Sequence, residues 1–186
     1  MSHGTPPVTY GARLQLRHES TNAILRSDPI NYTTGSGQQE VTANRVEDKN
    51  SWFIVKGPNY LGDGWRQLKG TQVMNNSIIR LEHIETGKNL HSSPGVPSPS
   101  SGQQEVSAYG NNGYGDDNDD WRIETDHDAG TPWITTYRTR LIHVRSECAL
   151  HSHGGHNNPR GQEVTGYRER DENDIWRVWN YNDINP

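Results

Sequence analysis

The chain has 186 residues, a formal net charge of -5 and only 29% hydrophobic residues. That length suits one domain or one compact array of repeats. With a mean hydropathy of -1.02 and a pI of about 6.0, it offers neither a basic stripe for nucleic acid nor an apolar run of about 18 residues for a membrane-spanning helix. So small an apolar share points by itself to disorder. Six Trp and eight Tyr, several of them at recurrent positions, argue instead for a folded domain with a small core and long polar loops. Cys148 is the single cysteine, which excludes an intramolecular disulfide and reads as a small buried residue beside Leu150.

Residues 1–9, with Pro6-Pro7, read as a flexible leader. A motif then recurs three times. Its first copy is Leu16-Arg17-His18, Leu25-Arg26-Ser27, Gly37-Gln38-Gln39-Glu40-Val41-Thr42 and Trp52. The second is Leu81-Glu82-His83, Leu90-His91-Ser92, Gly102-Gln103-Gln104-Glu105-Val106-Ser107 and Trp121. The third is Ile142-His143, Leu150-His151-Ser152, Gly161-Gln162-Glu163-Val164-Thr165 and Trp176. The step from the first His to the later Leu is seven residues in every copy. One structural unit is therefore used three times, over roughly 10–57, 74–125 and 134–180, with 181–186 as a tail.

Each unit opens on period-two alternation, as in Leu14, Leu16 and His18 or Ile79, Leu81 and His83, which predicts a short strand. Thr21-Asn22 and Gly87-Lys88 fall where a hairpin turn belongs. A loop rich in Gly, Ser and Pro follows, then a strand on Val41, Val106 or Val164. After an acidic turn comes a closing strand on Trp52, Trp121 or Trp176. No segment has a helical period. About four strands per unit give about twelve in all, and three such units predict an all-β fold, a β-trefoil with pseudo-threefold symmetry. Closure removes exposed strand edges, and three blades are too few for a propeller.

The Leu-His-Ser triplets, the Gln-Glu-Val cores and the Asx-x-Trp endings resemble the MIR motif, over roughly residues 10–180. Within that family, Ser36-Gly37-Gln38-Gln39-Glu40-Val41-Thr42 and Gly87-Lys88-Asn89-Leu90-His91-Ser92 are similar to the stand-alone stromal cell-derived factor 2-like proteins. The MIR domain of protein O-mannosyltransferases has nearly the same motifs. The resemblance implies a β-trefoil and a non-enzymatic binding role in the endoplasmic reticulum lumen or secretory pathway. The implied partners are a protein, such as a chaperone complex or client, or else a glycan or acceptor peptide. Met1-Ser2-His3-Gly4 has no apolar signal-peptide core, and Asp183-Ile184-Asn185-Pro186 is no retrieval signal. Asn31-Tyr32-Thr33 and Asn75-Asn76-Ser77 are glycosylation sequons.

The candidate ligand-binding residues are His91, Ser92, Gln103, Gln104, His151, Ser152, His153 and Gln162. Imidazole, hydroxyl and amide groups of this kind donate and accept hydrogen bonds to a sugar or peptide. Repeat one has Arg26 in place of the motif His, so repeat three, with the fuller Leu150-His151-Ser152-His153, is the better candidate. No cofactor is expected. No metal is expected either, because His151, His153 and His156 lie in a Gly-rich loop without a second ligand cluster at structural-zinc spacing. Asp116-Asp117-Asn118-Asp119-Asp120 does not match a calcium loop and reads as a turn, its Asx two residues before Trp recurring as Asn50, Asp119 and Asp174. No nucleophile elbow or phosphate loop is present, so no catalytic residue is expected. Trp52, Trp121 and Trp176 read as core, while Trp65, Trp133 and Trp179 break the repeat and read as candidates for the surface.

Overall fold

A computed structural model describes residues 5–183. Twelve strands follow in chain order among those residues: β1 (Arg13–His18), β2 (Ile24–Asn31), β3 (Gln39–Asn44), β4 (Phe53–Lys56), β5 (Ile78–His83), β6 (Lys88–Pro97), β7 (Gln104–Tyr109), β8 (Trp121–Thr125), β9 (Thr139–His143), β10 (Ala149–Asn158), β11 (Gly161–Tyr167) and β12 (Trp176–Asn182). The first and last strands of each repeat pair in a closed antiparallel ring, β1–β4–β5–β8–β9–β12 and back to β1. The two inner strands of each repeat form a hairpin, and β3, β7 and β11 join the three hairpins into a cap. Barrel and three-part cap make a β-trefoil.

Side-chain alternation decides which residues fill it. Leu14, Leu16, Ile79, Leu81, Leu141, Phe53, Trp121 and Trp176 point into the barrel, and Leu25, Val41, Leu90, Val106, Leu150 and Val164 continue the core under the cap; all are fully buried. The inner hairpins each carry a bulge at the same place, after Ser27, Ser92 and Ser152. The tight turns entering them place Asn22, Gly87 and Glu147 at φ of 61°, 66° and 57°. Gly and Asn tolerate this left-handed conformation, which accounts for Gly87-Lys88 and Thr21-Asn22 as turn signals. Glu147 there has no such rationale.

Three buried histidines hold the repeats to one another. Nε2 of His18 meets the Asn173 carbonyl at 2.7 Å, that of His83 the Asn50 carbonyl at 2.8 Å, and that of His143 the Asn118 carbonyl at 2.9 Å. A carbonyl only accepts, so Nε2 carries the proton, and Nδ1 accepts from Thr21, Thr86 or Ser146, each at 2.7 Å. Each ring also lies against the aromatic of the preceding repeat's closing strand: His18 on Trp176, His83 on Phe53 and His143 on Trp121, with centroids 4.9, 5.4 and 5.1 Å apart.

That pattern corrects the alignment of repeat one. Phe53, not Trp52, is the counterpart of Trp121 and Trp176, and Trp52 is only half-buried. Asp48, Asp116 and Asp171 each cap a 3-10 turn, and the core aromatic follows five positions later each time. Ser51, not Asn50, is therefore equivalent to Asp119 and Asp174. The wider expectation for the outlying tryptophans is corrected as well: Trp65 and Trp133 are buried, and Trp179 alone of the three is exposed. Trp133 donates Nε1–H to Thr139 Oγ1 at 3.0 Å.

The expected leader also differs. Residues 1–4 lie outside the described part, but Val8 is fully buried and Pro7 and Thr9 form bridges with Ile134 and Gln72. Val8, Trp133 and Val73 exchange backbone hydrogen bonds in a cycle, each N–H donating to the carbonyl of the next at 2.8 Å. This triangle plugs the open end of the barrel with one residue from the start of each repeat. The tail expected from 181 starts inside β12, where Tyr181 meets the Thr9 hydroxyl and amide; residues 184–186 lie outside the described part.

Burial lowers the pKa of His18, His83 and His143, the last to about 4. The unfolded chain, with histidines near about 6.5, therefore binds more protons between those values. The clamps' contribution is complete above about pH 6.5 and declines as pH falls, that of His143 being lost as pH passes its folded value near 4. One pKa unit corresponds to about 1.4 kcal/mol, so His143 alone carries a few kcal/mol of this dependence. Urea unfolding midpoints measured from neutral to acid pH are expected to fall, and H143Q to be less stable at neutral pH with a shallower dependence.

Candidate functional site

The Leu-His-Ser triplets open the inner hairpins, where their side chains face the acidic turn of the same repeat. His91 and His151 donate Nδ1–H to the carboxylates of Asp119 and Asp174 at 2.8 and 2.6 Å. Those carboxylates also accept from the Asp116 and Asp171 backbone N–H groups in capping boxes, which satisfy otherwise orphaned donors. Tyr109 and Tyr167 pack against the two imidazoles with tilted rings, centroids 4.6 and 4.4 Å apart. In both repeats a His and two Asp bring possible metal-ligand atoms within 4.8 Å of one another, but the aspartates are already used as turn caps and imidazole acceptors.

Ser92 and Ser152 donate to the Glu105 and Glu163 carbonyls at 2.8 and 2.7 Å and accept from Gln104 and Gln162 Nε2 at 2.7 and 2.8 Å. The same glutamine amides reach into the next repeat, to Ser146 and Thr21 at 2.9 Å, the hydroxyls that bond the clamp histidines. Gln39 repeats this between Ser27 and Thr86. Of the predicted set, His91, Ser92, His151 and Ser152 are thus buried and bonded within the fold. Gln103, Gln104, His153 and Gln162 are half-buried and reach the surface. Gln103 accepts from Thr165 at 2.6 Å.

Between successive repeats the glutamine forms one wall of a surface cleft. Gln39 lines the cleft between repeats one and two, of about 200 Å³, and Gln104 that between two and three, of about 360 Å³. Gln162 lines the cleft between three and one, of about 660 Å³. The size difference follows from the sequence. Asn44 stands in the third cleft where Tyr109 and Tyr167 stand in the others, and Ala23 stands in place of Lys88 and Cys148. The rest of that wall is polar, with Thr21, Arg45 and Asn157.

Repeat one has no imidazole for a tyrosine to stack on. Arg26 replaces His, and its guanidinium bonds Asp28 at 2.9 Å, Asp48 at 3.1 Å and the Val46 carbonyl at 3.3 Å. Desolvation disfavours its charge, but the two carboxylates more than offset it and raise its pKa. Of the predicted residues, Gln103 and Gln104 line the cleft between repeats two and three and Gln162 lines the widest, whereas His91, Ser92, His151 and Ser152 lie inside the fold and His153 lines none of the three. Asn44, Arg45 and Asn157 were missed, although registering Asn44 against Tyr109 and Tyr167 exposes the gap.

The MIR domain family model matches residues 24–176. The chain belongs to the MIR family and, within it, to the stromal cell-derived factor 2-like proteins. It is 40% identical over 184 residues to a stromal cell-derived factor 2-like protein of Dictyostelium discoideum, covering 95% of this chain and 84% of that one. The crystal structure of the SDF2-like protein from Arabidopsis thaliana superposes with a TM-score of 0.86 at 36% identity, covering 95% and 96% of the two chains. The S. cerevisiae protein O-mannosyltransferase Pmt1-Pmt2 complex bound to the sugar donor gives a TM-score of 0.81 at 31% identity, over 96% of this chain but 26% of that one. Among the described residues no helix is long and apolar enough to cross a membrane.

Asp119 is fully buried with His91 bonded to it. Asp119→Ala leaves that imidazole without its acceptor and opens the capping box, at an expected cost of about 3 kcal/mol. Ser51→Ala, at the equivalent place in repeat one, is expected to cost about 1 kcal/mol. Chemical denaturation of the two variants side by side checks the difference.

Proposed function

We propose that this chain is a non-catalytic binding module of the endoplasmic reticulum lumen or secretory pathway that recognises a protein partner or client polypeptide. The observation that carries this reading is the extent of its match. The SDF2-like chain from Arabidopsis thaliana superposes over 95% of this chain at 36% identity, which supports a role like that of the SDF2-like proteins. The wide cleft between repeats three and one fits such a role. Its amide, hydroxyl and guanidinium groups, from Asn44, Asn157, Gln162, Thr21 and Arg45, match the donors and acceptors of an extended peptide backbone. The buried His–Asp pairs serve turns and capping boxes, which supports a binding role over an enzymatic one.

The mannosyltransferase relative favours a second reading, in which the same cleft takes a glycan or a hydroxylated acceptor peptide. NMR titration of the labelled domain separates the two. Under the first reading an unmodified Ser/Thr-rich peptide shifts the resonances of Arg45, Asn157 and Gln162, and mannose alone does not. Under the second, mannose or a mannosylated peptide shifts them. R45A combined with N157A is expected to weaken the peptide response about tenfold, equivalent to about 1.4 kcal/mol. No shift at the cleft with any of these ligands, and no chaperone recovered in a pull-down, would sink both.

The compartment is tested by the sequons. Asn31 is exposed, whereas Asn75 is buried and donates to the His127 carbonyl at 2.6 Å. A chain residing in the lumen is expected to gain a glycan at Asn31, read as a glycosidase-sensitive mass that N31Q removes. An unglycosylated chain recovered from cells counts against the lumenal assignment.

A further inference from the structure

Repeat three carries a feature with no counterpart in the other two. Its hairpin strand β10 bulges between Ser152 and Asn157, and the bulge contains His153-Gly154-Gly155-His156. The two imidazoles meet across it with centroids 4.6 Å apart and planes at 73°. The equivalent of His153 is Asp28 in repeat one and Ser93 in repeat two, so the pair is not a requirement of the trefoil.

Neither glycine is there for packing. A side chain at Gly154 or Gly155 would meet nothing within 4 Å, and neither has a positive φ. What two glycines do supply is backbone freedom, which lets the histidines on either side face each other. Nδ1 of His156 is held by the Ser100 hydroxyl at 3.1 Å, which fixes the ring and leaves Nε2 open. The half-buried His153 takes part in no hydrogen bond among the described residues. Behind the pair, His151 packs edge-on against His153 at 5.1 Å and is anchored by Asp174. For His156 the Ser100 hydroxyl supplies the outer hydrogen bond that a ligating imidazole usually makes.

Spacing alone leads to no metal being expected here, but from the pairing of the two rings we propose that His153 and His156 bind a divalent transition-metal ion, of which zinc is the chemical type, at the surface of repeat three. Borderline-soft imidazole nitrogen suits such an ion, while calcium and magnesium require oxygen ligands. The site lies beside the cleft between repeats three and one, whose wall includes Gly154. It is independent of what that cleft binds.

The test is a zinc titration of the whole chain, followed through the ¹⁵N resonances of its histidine side chains. The expected result is a saturable change at His153 and His156 at submillimolar zinc, reaching completion at one equivalent. His18, His83 and His143 should remain unmoved. H153Q and H156Q should each weaken binding about tenfold or more, while leaving the unfolding midpoint within error of the parent because both rings are partly exposed. S100A, which frees His156 without touching a ligand, should weaken it less. A response that is absent at millimolar zinc, or that survives in the double variant H153Q/H156Q, overturns the proposal. Magnesium in place of zinc is expected to give no response, and an equal response would show simple charge attraction and also overturn it.

Discussion

Each interface between repeats depends on one neutral imidazole bonded on both nitrogens. Nε2 of the clamp histidine satisfies a carbonyl in the acidic turn of the preceding repeat, and Nδ1 fixes a hydroxyl in its own hairpin turn. That hydroxyl then accepts from the glutamine of the preceding repeat, whose amide also holds the motif serine. A buried donor or acceptor left without a partner costs on the order of 1–3 kcal/mol. Every member of the chain is therefore constrained by the others, and the chain is written three times around the axis. A small core can sustain a trefoil of low apolar content because the imidazole, hydroxyl and amide groups of these networks satisfy one another.

Repeat one shows what happens when the network is altered as a set. Arg26 in place of His, Ser51 in place of Asp and Asn44 in place of Tyr are mutually consistent changes. The guanidinium takes Asp48 and Asp28 as partners, so no buried aspartate is needed, and without an imidazole no tyrosine ring is needed to cover it. The consequence is spatial: losing the tyrosine widens the cleft shared with repeat three. The pseudo-symmetry is thus broken at the place where a ligand has most room.

The fold was legible because spacing is a property of the chain that symmetry repeats. Four strands per repeat, the hairpin turns and the barrel-facing Leu and Ile follow from periodicity and turn chemistry alone. The errors came from matching letters rather than register. Trp52 looked equivalent to Trp121 because both are tryptophan, but the capping aspartates put Phe53 there. The candidate site was legible in part. His91 and His151 have the chemistry of a ligand site, yet a recurrent polar residue is equally what a buried seam demands, and their partners Asp119 and Asp174 are 28 and 23 residues away. Proximity of that kind is set by tertiary pairing and has no local signal. The cleft was legible only as an absence, the small residues Ala23 and Asn44 where larger ones recur.

The barrel ring closes between its first and last strands: Leu16 pairs with Val178 and His18 with Trp176. During synthesis β1 therefore has no partner on one side until almost the whole domain has emerged, and the clamp of His18 on Asn173 waits equally long. Local hairpins can form early, but the long-range closure that makes them a barrel comes last. In the interval the nascent chain presents an unpaired strand edge and an open apolar interior. Repeat one thus depends on repeat three, and truncation near the end of the domain removes a wall from its beginning.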